Sequence, residues 1–508
     1  MTGRRIHDKI LGIDQGSSHT RAVLFTDKGE RLCEGSAPLR TYYPRPGAVE
    51  HDPKEILKSA YTVIQAVLKK HGGNIAAIGI ANQRSTLLCW DGKTGEPLSP
   101  AISWQARHDF LLGEADFTRK WDAPFLQEKT GLPLTRHYAA TKLSGLLNRI
   151  GRNRKNLMAG TVNTFLIWHL TQGKSYFTDP TNAQRTLLYH ITRHEWDDDL
   201  LHHFNIPKKI LPDILPNQAA FGDAIINGVR IPITAAIGDQ QSAFIGLGGF
   251  LKGKGAVNYG TGGFLLIHTG QKPVFLPGLL VSIAQSDQQK TSYLIEGTVN
   301  NVGGLFTWLK QVGLLNSDAE IDRAFSRSKE PVFFLPALTG LGTPYLQSNV
   351  RGALLGLAAS TQREDIIRGA VSGIAYLMHD IYQVIPAAIQ KQIHTITATG
   401  GGTHITSLIQ FQADLFGKTI SIATDLEATV RGAAFLAGKE RGLTDETQFC
   451  FAPIQKIIRP NMRPKERTNL LAKWHAVINQ ATIPFPDVST NLCHERHVVP
   501  NEIKKSKR

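Results

Sequence analysis

Asp14 stands at the end of a short apolar run and directly before a turn that contains one glycine and two serines. The run "ILGI" (residues 10–13) is typical of a buried strand, and "AVLF" (22–25) predicts a second strand beyond the turn. Gly16 permits a tight turn with exposed backbone N–H groups, and the serines add hydroxyl donors. Such a turn suits a phosphate, with the carboxylate holding a metal ion beside it. An ordinary hairpin with a polar tip explains the same residues, and this stretch alone favours the hairpin.

The chain has 508 residues, of which 42% are hydrophobic. A chain of this length is expected to divide into two or more domains, because single cores stop growing near ~250–300 residues. Its four cysteines lie far apart without a CxxC pair, which argues against a disulfide framework or a zinc site and favours a reducing compartment. We find neither a signal sequence nor an apolar run long enough for a membrane span, so we expect a cytoplasmic protein.

The formal net charge is +15, and much of the excess lies near the C-terminus. Binding to nucleic acid and a basic face for anionic nucleotides or metabolites are both compatible with this charge. No recognisable nucleic-acid module accompanies the basic residues, so we predict a solvated tail and no nucleic-acid partner. The last dozen or so residues are expected to be disordered.

Short apolar strands alternate with amphipathic helices, which predicts an α/β architecture. "PKEILKSAYTVIQAVLKK" (53–70) predicts a helix that ends in basic residues. The pattern of the opening turn returns in "GAVNYGTGGFLLIHTG" (255–270) and again where a glycine run precedes a helix (395–417). Two halves that each carry a phosphate-type turn indicate a cleft between two domains. The glycine-rich segment 246–254 predicts their boundary.

Seven short motifs occur in the order in which a known family carries them: Asp14 with its Gly-Ser-Ser turn, "NQRST" (82–86), "SWQARH" (103–108), "IGDQQSAF" (237–244), "YGTGGF" (259–264), "TGLGTPY" (339–345) and "TGGG" (399–402). On these motifs the sequence resembles the FGGY family of carbohydrate kinases, from about residue 8 to about residue 442. The resemblance implies two actin-like, ribonuclease-H-like domains with the active site between them. We expect an N-terminal domain over 1–248, a nucleotide-binding domain over 249–445 and an extension with a basic tail over 446–508.

The resemblance also implies transfer of the γ-phosphoryl group of ATP to a hydroxyl of a small polyol, with Mg²⁺. The narrower match is to the branch of the family that converts glycerol to sn-glycerol 3-phosphate. Asp239 in "GDQQ" takes the place of the catalytic base. The alternative is that Asp239 is only the N-cap of the helix that follows. A catalytically silent nucleotide-binding regulator is a further alternative, and a homo-oligomer remains open.

By the same resemblance, Asp14 would hold Mg²⁺, and a set of turn residues would contact ATP: Ser17, Ser18, His19, Arg21, Thr261, Gly303, Thr307, Gly401 and Ile405. His19, Thr307 and Ile405 depart from the residues usual in the glycerol-using branch. Ile405 cannot form a side-chain hydrogen bond, so adenine selectivity is less secure than phosphate binding.

The residues that match the polyol pocket are Arg84, Ser85, Trp104, Tyr138, Asp239, Gln240 and Phe264. Arg84 and Tyr138 would bind hydroxyl groups, while Trp104 and Phe264 would pack on the carbon chain. Trp104 taken alone would more often be a core residue. Ser85 stands where the glycerol-using branch has a glutamate, which leaves a longer polyol or a ketopentose open as the acceptor.

Overall fold

The computed structural model describes residues 8–72, 74–106, 123–135, 137–328, 332–347, 349–423 and 427–481. Up to residue 246 the elements are, in chain order, β1 (Lys9–Gln15), β2 (His19–Thr26), β3 (Arg31–Pro38), β4 (Glu50–His51), α1 (Pro53–His71), β5 (Ala77–Asn82), β6 (Leu87–Asp91), β7 (Ala101–Ile102), α2 (Ala123–Thr130), α3 (Ala139–Ile150), β8 (Leu157–Thr161), α4 (Val162–Leu170), β9 (Phe177–Thr178), α5 (Pro180–Gln184), β10 (Tyr189–His190), β11 (Glu195–Trp196), α6 (Asp198–His203), β12 (Asp213–Ile214), β13 (Gln218–Ile226), β14 (Val229–Gly238) and α7 (Asp239–Gly246).

From residue 254 the elements are β15 (Lys254–Tyr259), β16 (Gly263–Gly270), β17 (Leu280–Ser286), β18 (Thr291–Val299), α8 (Gly303–Gln311), α9 (Ala319–Arg327), β19 (Phe333–Leu335), β20 (Ala353–Leu355), α10 (Arg363–Val384), α11 (Ala387–Gln392), β21 (Thr395–Thr399), α12 (Thr406–Phe416), β22 (Thr419–Ala423), α13 (Ala428–Glu440), β23 (Ile454–Ile458) and α14 (Pro464–Ala481). Short 3-10 helices cover Lys208–Ile210 and Gly401–His404.

The first large sheet has the strand order β13-β14-β5-β1-β2-β3. Its three central strands β14, β5 and β1 run parallel, whereas β2, β3 and β13 are antiparallel to their neighbours. Residues from α1 and α4 pack on one face, and residues from α7 and α13 pack on the other. Strands covered on both faces are continuously apolar, which explains why runs such as "ILGI" could be recognised in the sequence.

The second large sheet, β17-β18-β16-β15-β21-β22-β23, repeats that topology. β15 pairs antiparallel with β16 and parallel with β21, as β1 does with β2 and β5. β22 is parallel to β21, and β23 closes the edge in the antiparallel sense, as β13 does. The α/β prediction of two related actin-like domains is therefore confirmed.

The helix predicted over 53–70 is α1. Its N-cap is Asp52, whose carboxylate accepts a hydrogen bond from the backbone N–H of Lys54 at 2.8 Å. Lys69, Lys70 and His71 occupy the last turn, where positive charge stabilises the negative end of the helix dipole.

Helix α13 belongs to the second half of the sequence but packs on the first sheet. A Cβ atom on Gly12 of β1 would lie 2.1 Å from the carbonyl oxygen of Val430, and one on Gly79 of β5 would lie 2.0 Å from that of Ala433. The strands and the helix thus approach backbone to backbone, which only glycine permits. Helix α13, which lies within the domain expected over 249–445, therefore covers one face of the sheet of the N-terminal domain.

Part of the C-terminal extension predicted over 446–508 is integral to the second domain. β23 pairs with β22, and Trp474 of α14 is fully buried and stacks on Tyr376 at a centroid distance of 4.9 Å. The last dozen or so residues, for which a disordered basic tail is predicted, lie outside the described residues, since residues 482–508 are not among them. Among the helices that the structure describes, none is long and apolar enough to cross a membrane.

Candidate active site

The parallel strands of the first sheet end at one edge and bring three sequence motifs together there. β1 ends before Gly16, β5 ends before "QRST" (83–86), and β14 ends before Asp239. The carboxyl ends of parallel strands are the usual ligand-binding edge of an α/β sheet. The motifs lie far apart in sequence, and the sheet topology makes them neighbours.

Arg84 and Asp239 form an ion pair at this edge, with Arg84 Nε 3.2 Å from Asp239 Oδ1. The same carboxylate oxygen accepts a hydrogen bond from the backbone N–H of Gln240 at 2.8 Å, which leaves Oδ2 as the oxygen that can accept a proton. Arg84 Nη1 donates to Oε1 of Gln241 at 3.1 Å. The arginine side chain is 9% exposed, whereas that of Asp239 keeps 35%. Asp239 therefore faces the cleft, held by a buried arginine.

The alternative of Asp239 as an N-cap is wrong, because α7 is capped by Gly238 and Asp239 is its first residue. Displacement of water by the surrounding protein raises the pKa of Asp239, against the lowering action of Arg84. A carboxylate with a raised pKa at the edge of a cleft has the character of a proton acceptor.

Asp14 lies close enough to Asp239 for the two carboxylates to repel each other. Burial, and secondly the charge of Asp239, raises the pKa of Asp14 to about 7, although Arg21 acts in the opposite direction. Arg21 faces Asp14 across the β1–β2 ladder. The Oδ1 atom of Asp14 is buried without a hydrogen-bond partner in the described structure. An unpartnered buried carboxylate oxygen beside a second carboxylate fits a divalent cation such as Mg²⁺.

The turn after Asp14 closes through a hydrogen bond from the N–H of Gly16 to the carbonyl of His19 at 3.0 Å. Ser17 Oγ accepts from the indole Nε1 of Trp104 at 3.1 Å and donates to Gln83 Oε1 at 3.2 Å. Ser18 Oγ lies 3.2 Å from His19 Nδ1 on the exposed surface. The predicted phosphate turn is thus joined to a predicted wall of the polyol pocket through one serine hydroxyl.

The aromatic wall continues from Trp104 to Tyr138 through the imidazole of His137, which lies 5.3 Å from each ring centroid. Tyr138 is buried, its pKa is raised to about 12 mainly by burial, and the guanidinium of Arg185 lies 5.9 Å from the centre of its ring. Lys142 of α3 holds the backbone directly before Trp104 and directly before Tyr138. Its Nζ donates to the carbonyl oxygens of Ser103 at 2.9 Å and of His137 at 3.0 Å.

Ser85 has no exposed surface and a backbone φ of 63°. Its hydroxyl donates to the carbonyl oxygen of Arg185 at 3.4 Å. The structure directs this short side chain to the protein, and contact of Ser85 with the substrate stays a prediction. Gln240 and Phe264 are half-buried, Gln240 beside Asp239 and Phe264 on β16.

In the second domain the turn between β15 and β16 contacts the start of α8. The carbonyl oxygen of exposed Thr261 accepts from the N–H of Val302 at 3.0 Å, and that of Gly260 accepts from the N–H of Gly303 at 2.9 Å. A Cβ atom on Gly303 would lie 3.0 Å from the Gly260 oxygen, a tight contact that would press on the turn itself. Thr307 is exposed, and its hydroxyl donates to the Gly303 carbonyl at 3.2 Å.

Gly401 follows β21, which is parallel to β15, so the two turns lie side by side. A Cβ atom on Gly401 would meet open space, unlike one on Gly303. Ile405 is 1% exposed and belongs to the core of the second domain. Its side chain is apolar and packs inward, and contact of Ile405 with the nucleotide stays a prediction.

Sequence reasoning missed two charged residues of this region, Arg185 and Glu296. Glu296 of β18 pairs with Arg185 and lies 3.6 Å from Arg84 Nη1, with all three side chains at most 9% exposed. Arg185 and Arg84 hold the pKa of Glu296 at about 2, although burial acts in the opposite direction. A single carboxylate inside the apolar run "YLIEGTV" is a signal that could have indicated a buried ion pair.

Comparisons with known proteins agree across the chain. The sequence model described as the FGGY family of carbohydrate kinases, N-terminal domain, matches residues 9–246, and that of the C-terminal domain matches residues 255–440. The chain is 35% identical to glycerol kinase 2 of Thermotoga maritima, over 93% of this chain and 98% of the relative. It is 38% identical to glycerol kinase of Thermus brockianus, over 84% and 89%. The crystal structure of Plasmodium falciparum glycerol kinase with ADP superposes with a TM-score of 0.88 at 31% identity, covering 94% of this chain and 99% of that one.

Proposed function

Because the chain belongs to the FGGY family of carbohydrate kinases, and is thus an ATP-dependent carbohydrate or polyol kinase, we propose that its acceptor is glycerol and its product sn-glycerol 3-phosphate. The observation that carries the proposal is the Arg84–Asp239 pair, which faces the cleft beside Asp14 at the carboxyl ends of the parallel strands. Relatives named glycerol kinase that match nearly the whole chain support the choice of acceptor.

Asp239 is the general base of the proposed reaction. Arg84 and the N–H of Gln240 hold Oδ1, so that Oδ2 accepts the proton as the glycerol oxygen forms its bond to the γ-phosphorus and the bond to the leaving ADP oxygen breaks. Trp104 and Phe264 pack on the carbon chain and exclude water, while Arg84, Tyr138 and Gln240 bind hydroxyl groups.

The nucleotide lies, in this proposal, between the turn after β1 and the two turns at the ends of β15 and β21. Hydroxyl and N–H groups of Ser17, Ser18 and Thr261 bind phosphate oxygens, assisted by His19 and Arg21. The open space at Gly401 accommodates the nucleotide. Asp14 would hold Mg²⁺, which neutralises phosphate charge when bound.

Ser85 bears on the size of the acceptor that the pocket takes. A short, buried side chain at this position supplies no carboxylate to the pocket, and a longer polyol or a ketopentose is the competing acceptor. The test is ADP release by the purified protein with Mg²⁺-ATP and glycerol, erythritol or xylulose. We expect the highest kcat/KM with glycerol. Turnover of a larger acceptor with glycerol at background, or background turnover with all three, would contradict the proposal.

A further inference from the structure

Glu296 is a carboxylate that lies between two buried arginines of the other domain. It lies on β18 of the second sheet, whereas Arg84 and Arg185 belong to the first domain. Its Oε2 atom accepts hydrogen bonds from Arg185 and from the hydroxyl of Ser282, the latter at 3.1 Å. The same oxygen lies 3.6 Å from Arg84 Nη1. The exposed fractions of Glu296, Arg185 and Arg84 are 2%, 3% and 9%.

The charges in this cluster determine where the guanidinium of Arg84 can lie. Two buried arginines repel each other, and water does not screen them at this depth. Glu296 compensates that repulsion from one side, while Asp239 attracts Arg84 from the other. Removal of the Glu296 charge would leave Arg84 beside an uncompensated Arg185, and Arg84 would then move. Asp239 would lose the contact that orients its carboxylate.

We propose that Glu296 is a positioning residue, which acts from the second domain and keeps Arg84 in contact with Asp239 in the first. The orientation of the base then depends on where the second domain lies. The inference rests on the proposed role of Asp239 and extends it. Glu296 acts through Arg84 and does not itself bind the substrate, because its carboxylate already contacts Arg185, Ser282 and Arg84.

The first test is Glu296→Gln, which keeps the size of the side chain and removes its charge. We expect kcat to fall roughly tenfold to a hundredfold, because misplacing a catalytic group by about 1 Å has an effect of that order. The KM for ATP should stay within about twofold of the wild-type value, since the proposed nucleotide turns lie elsewhere. A structural defect would instead reduce the amount of folded enzyme without this split between kcat and KM.

The second test is the charge-balanced variant Glu296→Gln/Arg185→Gln. It removes the carboxylate together with the arginine that would repel Arg84, so kcat should recover at least about threefold relative to Glu296→Gln. Two independent structural defects would instead add. If Glu296→Gln does not fold, the double variant carries the test alone. A kcat within about thirtyfold of wild type then supports the proposal, and a larger loss overturns it.

Tyr293→Phe is the matched control. Tyr293 lies on the same strand, and its hydroxyl lies 2.8 Å from His194 Nε2 of the first domain, so the variant also removes a polar contact between domains, but no charge. Its kcat should stay within about twofold of wild type. Wild-type kcat in Glu296→Gln, or an equal loss in Tyr293→Phe, would overturn the proposal. All assays use the acceptor that wild type prefers, so failure of glycerol as substrate is seen separately in wild type.

Discussion

At the residue scale, Asp14 and Asp239 are two carboxylates in one cleft with different surroundings. Asp239 is held by Arg84 and by a backbone N–H, whereas one oxygen of Asp14 is buried without a partner. A pair of acidic groups whose environments differ in this way is typical of a divided task. In this chain, we propose that Asp239 accepts the proton and that Asp14 binds the cation.

Asp239→Asn removes the proposed base and keeps the shape of the side chain. We expect kcat to fall about 10²–10⁴-fold, the usual contribution of a general base. ATP affinity measured by calorimetry should be nearly unchanged, because asparagine keeps the shape of the side chain and Asp239 is proposed to act on the acceptor hydroxyl, not to bind the phosphates. Asp91→Asn is the control, because it makes the same change at the half-buried end of β6, where one carboxylate oxygen accepts hydrogen bonds from two backbone N–H groups. A variant that keeps more than about a tenth of kcat would refute the assignment.

Asp14→Asn should inactivate the enzyme and yet stabilise the free protein above neutral pH. The folded-state pKa of about 7 lies above the ordinary value of 3.8, so the folded state binds more protons in this interval, and stability falls as the pH rises through it. Asparagine removes that loss. Thermal unfolding without Mg²⁺ should show a higher Tm for the variant at pH 8 and a smaller difference at pH 5. Equal differences at both values would contradict the pKa shift.

At the element scale, helix α3 orients two of the three aromatic residues of the predicted pocket through one lysine. Lys142 is fully buried, and its amine binds the carbonyl groups that directly precede Trp104 and Tyr138. Burial lowers the pKa of this amine to about 7. The sequence shows no clear polar face for this helix, because nine of its residues are buried and several of these are polar. Its role therefore became visible only in the folded structure.

Lys142→Met should raise the KM for the polyol about tenfold, the equivalent of one hydrogen bond, while the KM for ATP is unchanged. Wild type should gain stability relative to the variant between pH 7 and pH 9, by up to about 1.4 kcal/mol per pH unit, because the folded state releases this proton while the unfolded state keeps it. Urea unfolding at several pH values measures the difference. Lys155→Met, at an exposed position, is the control and should show neither effect.

The two turns of the second domain that are proposed to bind the nucleotide allow a comparison of two glycines. Gly401→Val places a side chain in open space, so Tm should be unchanged while the KM for ATP rises roughly tenfold or more through overlap with the nucleotide. Gly303→Val would clash with the Gly260 carbonyl and should lower Tm as well. Equal Tm losses in the two variants would show that Gly401 is a packing residue and not part of the nucleotide site.

At the scale of the whole molecule, α13 comes from the second half of the chain and packs on the first sheet. The contact is made between backbones at Gly12 and Gly79, and the buried ion pairs of Glu296 cross the same domain boundary. Relative placement of the two domains is therefore set by contacts that leave little room for even one added methyl group.

Gly79→Ala tests the close contact between β5 and α13. Its Cβ would lie 2.0 Å from the carbonyl oxygen of Ala433, so strand and helix must separate. We expect a loss of about 1–3 kcal/mol in the free energy of unfolding, as for overpacked cores, measured by denaturant titration. Gly304→Ala, whose Cβ would make only an ordinary contact at 3.5 Å, should cause no comparable loss. A neutral Gly79→Ala would show that α13 is free to shift.

The α/β class, the helix over 53–70 and the phosphate-type turns could be predicted from the sequence because each depends on neighbouring residues. Apolar runs, helical spacing and turn residues are local signals. The motifs "QRST" and "GDQQ" could also be recognised, since short segments keep their residue types. Their meeting at one edge is a consequence of strand order, which no single segment contains.

Tertiary structure alone decided which side chains face the cleft. Ser85 and Ile405 carry motif positions, yet packing directs one to the Arg185 carbonyl and the other into the core. The pair formed by Arg185 and Glu296 joins residues 111 positions apart, and the Lys142 contacts join α3 to two loops. Burial, charge compensation and backbone approach depend on all elements packed at one place, so they are decided when the chain folds.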